Sequence, residues 1–558
     1  MTLTLQSLPR KSTQRPYQPT QMTPLTILVF TSTLIFWYTA LIGVWAAYDT
    51  ATALIRFGLI TLGLFLMGAI AWHGRVHAKT VLSRVGLACA TFAAGLSLVN
   101  LLGLRGNSGM VASTLIVLLP LGAIGVWWQQ ELGRRLPVVI GATALTIAAL
   151  ALLLSRERTA WIGLLAGLCC AGYLAWRCAD SKKSWLYWGA DTIVGLVMLS
   201  GLALYGTIIF SSNSVPIPWL RDLFAERSAL WQESLALIRD YRFTGSGLGA
   251  TAMVYSTYVF LLHVPYLYHA HHLFLQIALE QGVPGLIAFL GMVLPILASL
   301  PNTYRQLGPY SRLFCLATLI AIVALMSDGL LDSELYATNA LPVIFIPLGC
   351  AMALHWAQIN RQREGDGRVS ISGQRLAPMI ATVTAAALPL LAIIILCNWP
   401  GSIAALHVNL GSVAQTKAEL GRYYRSIWPI QDALRRNDAV DLSAAERQYN
   451  QALALDSANV AAHQRLGQIA LSQGAYAVAL NHLQLAYAIE PQRSAIRLLL
   501  GEAYAVTGQT EQAAALWRTI SDEGDVLAER RWWYLHLNAR QEAERISTVM
   551  TRISNSVQ

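Results

Sequence analysis

The sequence predicts an all-α protein in which a polytopic membrane domain of about 11 transmembrane helices precedes a domain of helical repeats. Of the 558 residues, 55% are hydrophobic and only 13% are charged, whereas soluble domains have about 25% charged residues. The apolar residues fall in long runs, which is typical of membrane proteins. Residues 400–558 are polar instead, and their sequence repeats with a period of 34 residues.

Eleven apolar runs are long enough to cross a bilayer, which requires about 20 residues. They cover residues 24–47, 52–72, 81–104, 110–128, 136–154, 159–176, 185–210, 272–300, 312–330, 338–357 and 377–397. The polar and basic residues 1–23 lack the pattern of a cleaved signal peptide, so we expect a cytoplasmic tail. Six of the seven cysteines lie inside apolar runs, where a disulfide framework is not expected.

The distribution of lysine and arginine predicts a cytoplasmic N-terminus and a C-terminal domain on the opposite side. With this orientation, sixteen cations lie in cytoplasmic segments. Four lie in short outer loops, namely Arg56, Arg105, Arg156 and Arg158. Such a bias is the positive-inside rule. Most of the net charge of +10 is explained by this bias, so the charge does not indicate nucleic-acid binding. Nucleic acid is therefore not expected as a partner.

The predicted domain order follows from these spans. A tail of residues 1–23 precedes transmembrane helices 1–7 (24–210) and a large outer loop (211–271). Helices 8–11 (272–399) and an outer C-terminal domain (400–558) complete the chain.

The C-terminal domain matches itself at an offset of 34 residues. Gly467 falls on Gly501, and Gly474 falls on Gly508. This period resembles the tetratricopeptide repeat (TPR), in which each helix pair buries its apolar face by stacking on its neighbours. Two roles remain open: a scaffold that packs on the membrane domain, or a concave surface that binds an acceptor or a protein partner.

Arginines stand out at two places on the outer side. Arg156 and Arg158 flank Glu157 at the mouth of a helix, and Arg227 and Arg242 lie in the large loop, before the glycines of 245–249. The arginines of the first pair either snorkel at the interface or form an anion clamp, because guanidinium groups bind phosphate with two hydrogen bonds.

Three histidines, His269, His271 and His272, occupy four positions at the start of a transmembrane helix. No cysteine or further histidine accompanies them at zinc-ligand spacing, so a metal is not the favoured interpretation. A pH-dependent structural cap is an alternative. We favour a general base or acid, since histidine titrates near neutral pH. The next outer loop contains three carboxylates, Asp328, Asp332 and Glu334. One interpretation is a solvated acidic loop. The alternative is that they orient a histidine or bind sugar.

These groups, taken in order, resemble the bacterial O-antigen ligase superfamily, which includes O-antigen polymerases and protein O-oligosaccharyltransferases. The resemblance covers roughly residues 110–350, and the spacing of His271, Gly282 and Gly285 is its most specific part. Arg158, directly before Thr-Ala-Trp, fits the family arginine better than Arg156. His272 departs from the pattern, because the ligases usually have a small amide or hydroxyl residue there.

The resemblance implies a glycosyltransferase of the bacterial inner membrane that uses no metal and no other cofactor. It would move a glycan from undecaprenyl diphosphate to an acceptor hydroxyl on the periplasmic side. Its implied catalytic residues are His271 and His269. The implied diphosphate-binding residues are Arg158, Arg227, Arg156 and Arg242. The implied acceptor-binding residues are His272, Asp332 and Glu334.

Four functions remain compatible with the sequence. A ligase would use lipid A-core as acceptor, and a protein O-oligosaccharyltransferase would use a Ser or Thr side chain. A polymerase would extend a polysaccharide from lipid-linked units. The fourth is a non-enzymatic anchor that displays the repeat domain to a protein partner, against which the outer arginines and histidines argue.

Overall fold

The computed structural model describes residues 23–103, 108–179, 205–207, 218–261, 267–365, 391, 393–395, 397–399, 401–421, 440–520 and 523–555. All regular elements within these ranges are helices, as the sequence predicts. The membrane domain contains α1 (Pro24–Ala46), α2 (Thr50–Leu101), α3 (Ser108–Glu131), α4 (Arg135–Ser155), α5 (Arg158–Ala179), α8 (Leu273–Gln306), α9 (Pro309–Gly329) and α11 (Ile346–Gly365).

Eight of the described helices are long and apolar enough to cross a membrane, counting the 3₁₀ turn Leu341–Phe345 together with α11. The protein is therefore a multi-pass membrane protein. The predicted runs 185–210 and 377–397 lie mostly outside the described residues, so the number of eleven spans stays a prediction.

The longest helix, α2, has 52 residues and breaks at His77, whose φ of −125° and ψ of 51° are not helical. Before the break, Arg56 donates to the carbonyl of Tyr336 and Gly74 packs on Ala353 of α11. This half therefore runs parallel to the segment from Tyr336 into α11. We refer to the end of the domain that carries Tyr336 as the Tyr336 end.

The second half of α2 runs back toward the Tyr336 end. Ser83 accepts a hydrogen bond from Gln129 of α3. Ala90, which comes later in α2, packs against Gly122, which comes earlier in α3. The start of α3 lies at the Tyr336 end, because Gly109 touches the Glu334 carboxylate. Each half thus forms its own crossing, and the predicted runs 52–72 and 81–104 share one interrupted helix.

The described part of the large outer loop includes two helices. It contains α6 (Pro218–Asp240) and α7 (Thr251–Tyr258), separated by the glycine-rich turn. The backbone requires glycine in this turn: Gly245 has a φ of +70°, and a Cβ there would lie 2.3 Å from the backbone of Glu280. The short helix α10 (Glu334–Ala337) follows α9 at the same end.

The C-terminal domain is a stack of helix pairs, which confirms the predicted repeats. The pairs are α12 (Ser402–Leu420) with α13 (Ser443–Leu455), α14 (Val460–Ser472) with α15 (Tyr476–Ile489), α16 (Ser494–Val506) with α17 (Thr510–Trp517), and α18 (Glu523–His536) with α19 (Arg540–Ser554).

The 34-residue period has a structural cause. Gly467 lets Leu483 approach closely within one pair, and Gly501 lets Trp517 approach in the next. Both glycines and both partners are 34 residues apart in the chain. Gly474 and Gly508 end the first helices of these pairs with φ of +81° and +88°, a conformation that glycine adopts without steric cost.

Candidate active site

A histidine-bearing segment lies at the Tyr336 end, directly before α8. His271 has a φ of +47°, an uncommon backbone conformation for a residue with a side chain. The rings of His269 and His271 lie edge to face, with their centroids 4.1 Å apart. The His271 side chain is about a third exposed, at 34%, whereas that of His269 is 12% exposed.

The segment after α9 places a carboxylate beside both histidines. The Asp332 carboxylate lies 3.8 Å from His269 Nδ1 and 4.0 Å from His271 Nδ1. Backbone N–H groups of Ser333 and Glu334 donate to Asp332 Oδ1. Burial would raise the pKa of Asp332, but the nearby His271 ring, the positive charges of both histidines and the Glu334 N–H outweigh it, so this pKa is lowered.

Glu334 completes the cluster on the far side of His269. Its Oε1 lies 3.7 Å from His269 Nε2. Its other oxygen is buried against Gly109 at the start of α3, where the helix dipole favours negative charge. Ser333 Oγ lies 3.3 Å from His269 Nδ1. His269 is thus enclosed by polar groups, and His271 is the histidine that remains open to the solvent.

A buried polar chain supports the histidine segment from within the membrane domain. Gln276 accepts from the N–H of Ala270, between the two histidines, and donates to Glu280. Glu280 lies 3.6 Å from the Arg56 guanidinium, which also donates to the Tyr336 carbonyl. Sequence reasoning did not assign Arg56, Gln276 or Glu280 to the site. Charged residues inside apolar runs were the available signal, since they are costly in a membrane.

The arginines approach the cluster to different degrees. Arg227 of α6 donates from Nη1 to the carbonyl of Leu331, next to Asp332. Arg158 is exposed at the start of α5, beside Thr159, whose side chain hydrogen-bonds Asp328 four residues before Asp332.

The remaining predicted residues lie beside the cluster rather than in it. Arg156 is exposed and caps α4 in a left-handed conformation. Arg242 offers its carbonyl to the N–H of Val283, and the described contacts do not bring its guanidinium to the histidines. His272 is buried and caps α8, with Nδ1 accepting from the Leu275 N–H. His272 also packs against Trp231 of α6, so it joins the large loop to α8.

The cluster has one possible metal-ligand set within the described residues. Ligand atoms of His269, His271 and Asp332 all lie within 4.8 Å of one another. Two imidazole nitrogens and a carboxylate oxygen suit a transition metal such as zinc. The same three groups can also relay a proton, because a carboxylate beside an imidazole orients it and stabilises its charged form.

Comparison with known families agrees with this geometry. Residues 142–290 match the family model described as O-antigen ligase. Over these residues the chain is therefore similar to the O-antigen ligase family. The match begins in α4 and ends in α8, so it includes Arg158, Arg227 and the histidine segment. Residues 470–537 match a tetratricopeptide repeat model. No curated protein and no solved structure matches the chain.

Both predicted resemblances are thereby confirmed, the first over a shorter range than the expected 110–350. The similarity to O-antigen ligases suggests a membrane enzyme that transfers glycosyl groups, with a lipid-linked glycan and an acceptor as substrates. The TPR domain suggests interaction with a protein segment.

Proposed function

We propose that this protein moves a glycan from undecaprenyl diphosphate to an acceptor hydroxyl on the periplasmic side, as an O-antigen ligase does, without a metal or other cofactor. The observation that carries the proposal is the pairing of His271 with Asp332 at the Tyr336 end of the membrane domain. A lipid-linked donor requires a site that its membrane-embedded lipid can reach. A helical domain with this histidine and carboxylate cluster at one membrane end meets this requirement.

His271 acts as the general base in this proposal. Its Nδ1 side faces Asp332, so Nε2 takes the proton of the acceptor hydroxyl. The acceptor oxygen attacks the anomeric carbon of the glycan, and the bond from that carbon to the diphosphate oxygen breaks. The diphosphate leaves with the bonding electrons. Asp332 stabilises the resulting imidazolium, and its lowered pKa keeps it ionised at neutral pH.

His269, Asp332 and Glu334 shape the acceptor side of the site. His269 lies between the carboxylates of Asp332 and Glu334, so its ring is held where it assists His271. Carboxylates are suitable acceptors for sugar hydroxyls, and the Glu334 side chain is only partly buried. His272 contributes by positioning, since it caps α8 directly after His271.

Arginines stabilise the leaving diphosphate, on which negative charge develops in the transition state. Arg158 is exposed at the helix start, which leaves its whole guanidinium for phosphate oxygens. Arg227 uses Nη1 for the Leu331 carbonyl, and its other N–H groups serve the diphosphate. Arg156 and Arg242 add positive charge at the same end of the membrane domain.

The proposed location is the bacterial inner membrane, with the Tyr336 end and the repeat domain in the periplasm. The described helices support this orientation. α11 leads away from the Tyr336 end, whereas α12 of the repeat domain packs beside the glycine-rich turn at that end, because Asn409 accepts from the N–H of Phe243. The end of α11, before the run 377–397, and the start of α12, after it, thus lie at opposite ends of the membrane domain. A crossing of the membrane by this run requires such an arrangement.

Transfer by the purified protein tests the proposal. The substrates are undecaprenyl-diphosphate glycan with lipid A-core, a Ser/Thr-containing protein or a lipid-linked repeat unit as acceptor. His271→Ala should abolish transfer, and His269→Ala should be milder. His73→Ala is the matched control, because His73 is an exposed histidine of α2 that bonds only its own helix. Normal transfer by His271→Ala would remove the general base. Absence of native transfer to all three acceptors would favour the anchor.

A further inference from the structure

One surface of the repeat domain faces the chain's own large loop. Helices α12, α14 and α16, the first helices of three consecutive pairs, all contact residues 233–261. Helical-repeat stacks present extended concave surfaces to their ligands. We refer to the surface formed by these three helices as the repeat groove.

A buried ion cluster lies at the centre of this contact. Asp240, the last residue of α6, is 1% exposed, and Arg465 of α14 is fully buried. Arg465 donates to Asp240 Oδ2 from both Nε and Nη2, at 3.2 and 2.9 Å. Arg493 lies 3.4 Å from the same carboxylate. Burying these charges is costly unless all remain paired, so the loop and the groove are matched to each other.

Aromatic side chains of the loop extend the match. The Arg465 guanidinium lies 3.8 Å from the ring centroid of Tyr258, a distance typical of a cation–π contact. The Tyr258 hydroxyl donates to Glu419 of α12 at 2.9 Å. The Tyr241 hydroxyl pairs with Thr416, also of α12, at 2.6 Å. All five of these side chains are buried.

Further contacts continue along the groove. The Glu233 carboxylate accepts from the N–H of Ser494 at the start of α16, at 3.0 Å, where the helix dipole favours an acidic group. Leu261 is 4% exposed and packs in the same apolar cluster as Leu498 of α16. Residues of the large loop therefore contact the first helix of each of the three pairs, through charged, polar and apolar side chains.

We infer that the ligand of the repeat groove is residues 233–261 of the same chain, and that the repeat domain positions α6 rather than capturing the acceptor. The second part rests on the proposed function. Asp240 and Glu233 lie on the same helix as Arg227, whose guanidinium bonds Leu331 beside Asp332. α6 thus connects the groove to the proposed diphosphate site. Asp240, Arg465 and Arg493 are positioning residues in this account.

Cross-linking tests the occupied groove without any assay of activity. Arg239 and Glu490 form an exposed ion pair at the rim, at 2.7 Å. In a variant without native cysteines, Arg239→Cys with Glu490→Cys should be joined by a short thiol-reactive cross-linker, as detected by mass spectrometry of the peptides. Arg239→Cys with Arg518→Cys is the control pair, because Arg518 bonds Arg552 in the last helix pair instead. Absence of the first cross-link would overturn the occupied groove.

A double-mutant cycle tests the positioning role. Asp240→Ala and Arg465→Ala should each lower the transfer rate about tenfold or more. The first leaves two buried guanidinium groups without their carboxylate, and the second leaves Asp240 only its longer contact with Arg493. The double variant should lose no more than the worse single variant, because the two groups act as one unit. Arg518→Ala should transfer normally. Multiplying losses in the double variant would contradict direct pairing of the two residues.

The kinetic constants distinguish positioning from acceptor capture. A positioning role predicts that kcat, or the KM for the donor, changes to the same extent with every acceptor, while the KM for the acceptor stays constant. An increase only in the acceptor KM would show that the groove captures acceptor and would overturn the inference. If native transfer itself fails but the cross-link forms, the occupied groove stands and only the proposed function is lost.

Discussion

His271 Nδ1 and the Asp332 carboxylate face each other across 4.0 Å, although 61 positions separate them in the sequence. α8 presents the histidine at its start and α9 presents the carboxylate beyond its end, so two neighbouring antiparallel helices bring them together. The distance is longer than a hydrogen bond. A slight closure on substrate binding would shorten it, as is common for catalytic pairs without ligand.

Replacing Asp332 by asparagine should lower transfer by about a hundredfold, in the range of general acid–base contributions. Asparagine retains an oxygen for the N–H groups of Ser333 and Glu334, so the loop should keep its conformation, while the charge that stabilises the imidazolium is lost. The measurement is the transfer rate of the purified variant, together with its yield in the membrane. A normal rate would mean that Asp332 does not assist His271.

Arg158 distinguishes a diphosphate clamp from an interfacial anchor. Arg158→Ala should lose nearly all transfer, roughly a hundred- to a thousandfold, as for other contacts to a developing anion. Arg158→Lys should keep part of it, because lysine retains the charge but not the planar fork. Arg134→Ala is the control, since Arg134 is exposed at the other end of α4. Equal rates for Arg158→Ala and the native protein would exclude the clamp.

The sequence predicted the helical class, the repeat domain and the group of outer polar residues, because these depend on composition and local periodicity. The runs 52–72 and 81–104 were predicted as separate spans, so a break between them was expected, but the sequence did not show that the connection stays helical except at His77. The positions of Asp332 and Glu334 beside His269 depend on the packing of α8 and α9. Local sequence contains no information on such long-range contacts, and therefore left their role open.

The same limit applies to the repeat domain. Its period was visible in Gly467 and Gly501, because each pair repeats the same local packing. Its ligand was not visible, since Asp240 meets Arg465 from a loop 225 positions away. Asp240 appeared only as an acidic residue before a glycine-rich turn, whereas the structure buries it completely.

Chelation and zinc addition test the absence of a metal in the proposed mechanism. Transfer should continue after treatment with EDTA. Added zinc should inhibit it, because His269, His271 and Asp332 can surround the ion and then neither histidine can accept a proton. The measurement is the transfer rate at increasing zinc concentration, with His269→Ala expected to reduce the inhibition. Loss of transfer on chelation, restored by zinc, would replace the proposed mechanism by metal catalysis.

Reporter fusions test the orientation. A reporter that is active only outside the cytoplasm should function when fused after residue 410, in α12, and fail when fused after residue 365, at the end of α11. The charge bias of the loops is the physical reason for this expectation. Activity of both fusions, or of neither, would contradict a crossing between these positions, and a reversed result would place the repeat domain in the cytoplasm.

Mild acid should loosen the pair α14 and α15 of the repeat domain. His463 and His482 share a hydrogen bond between their Nδ1 atoms at 2.8 Å, which requires at least one neutral ring. Burial, together with the nearby His463, lowers the pKa of His482 below its ordinary value of 6.5. The unfolded chain therefore binds more protons than the folded chain, and the stabilisation that is present above the ordinary pKa is lost as the pH falls from the ordinary pKa toward the lowered one.

The measurement is the amide protection factor, which is the exchange rate corrected for its intrinsic pH dependence. Protection factors in α14 and α15 should be lower at about pH 5 than at about pH 7, where histidine is mostly neutral. His482→Gln should reduce this difference, whereas His407→Gln, at a histidine that bonds Gln448 in another helix pair, should leave it unchanged. Equal protection factors at both pH values in the native protein would show that the histidine pair does not control the stability of this repeat.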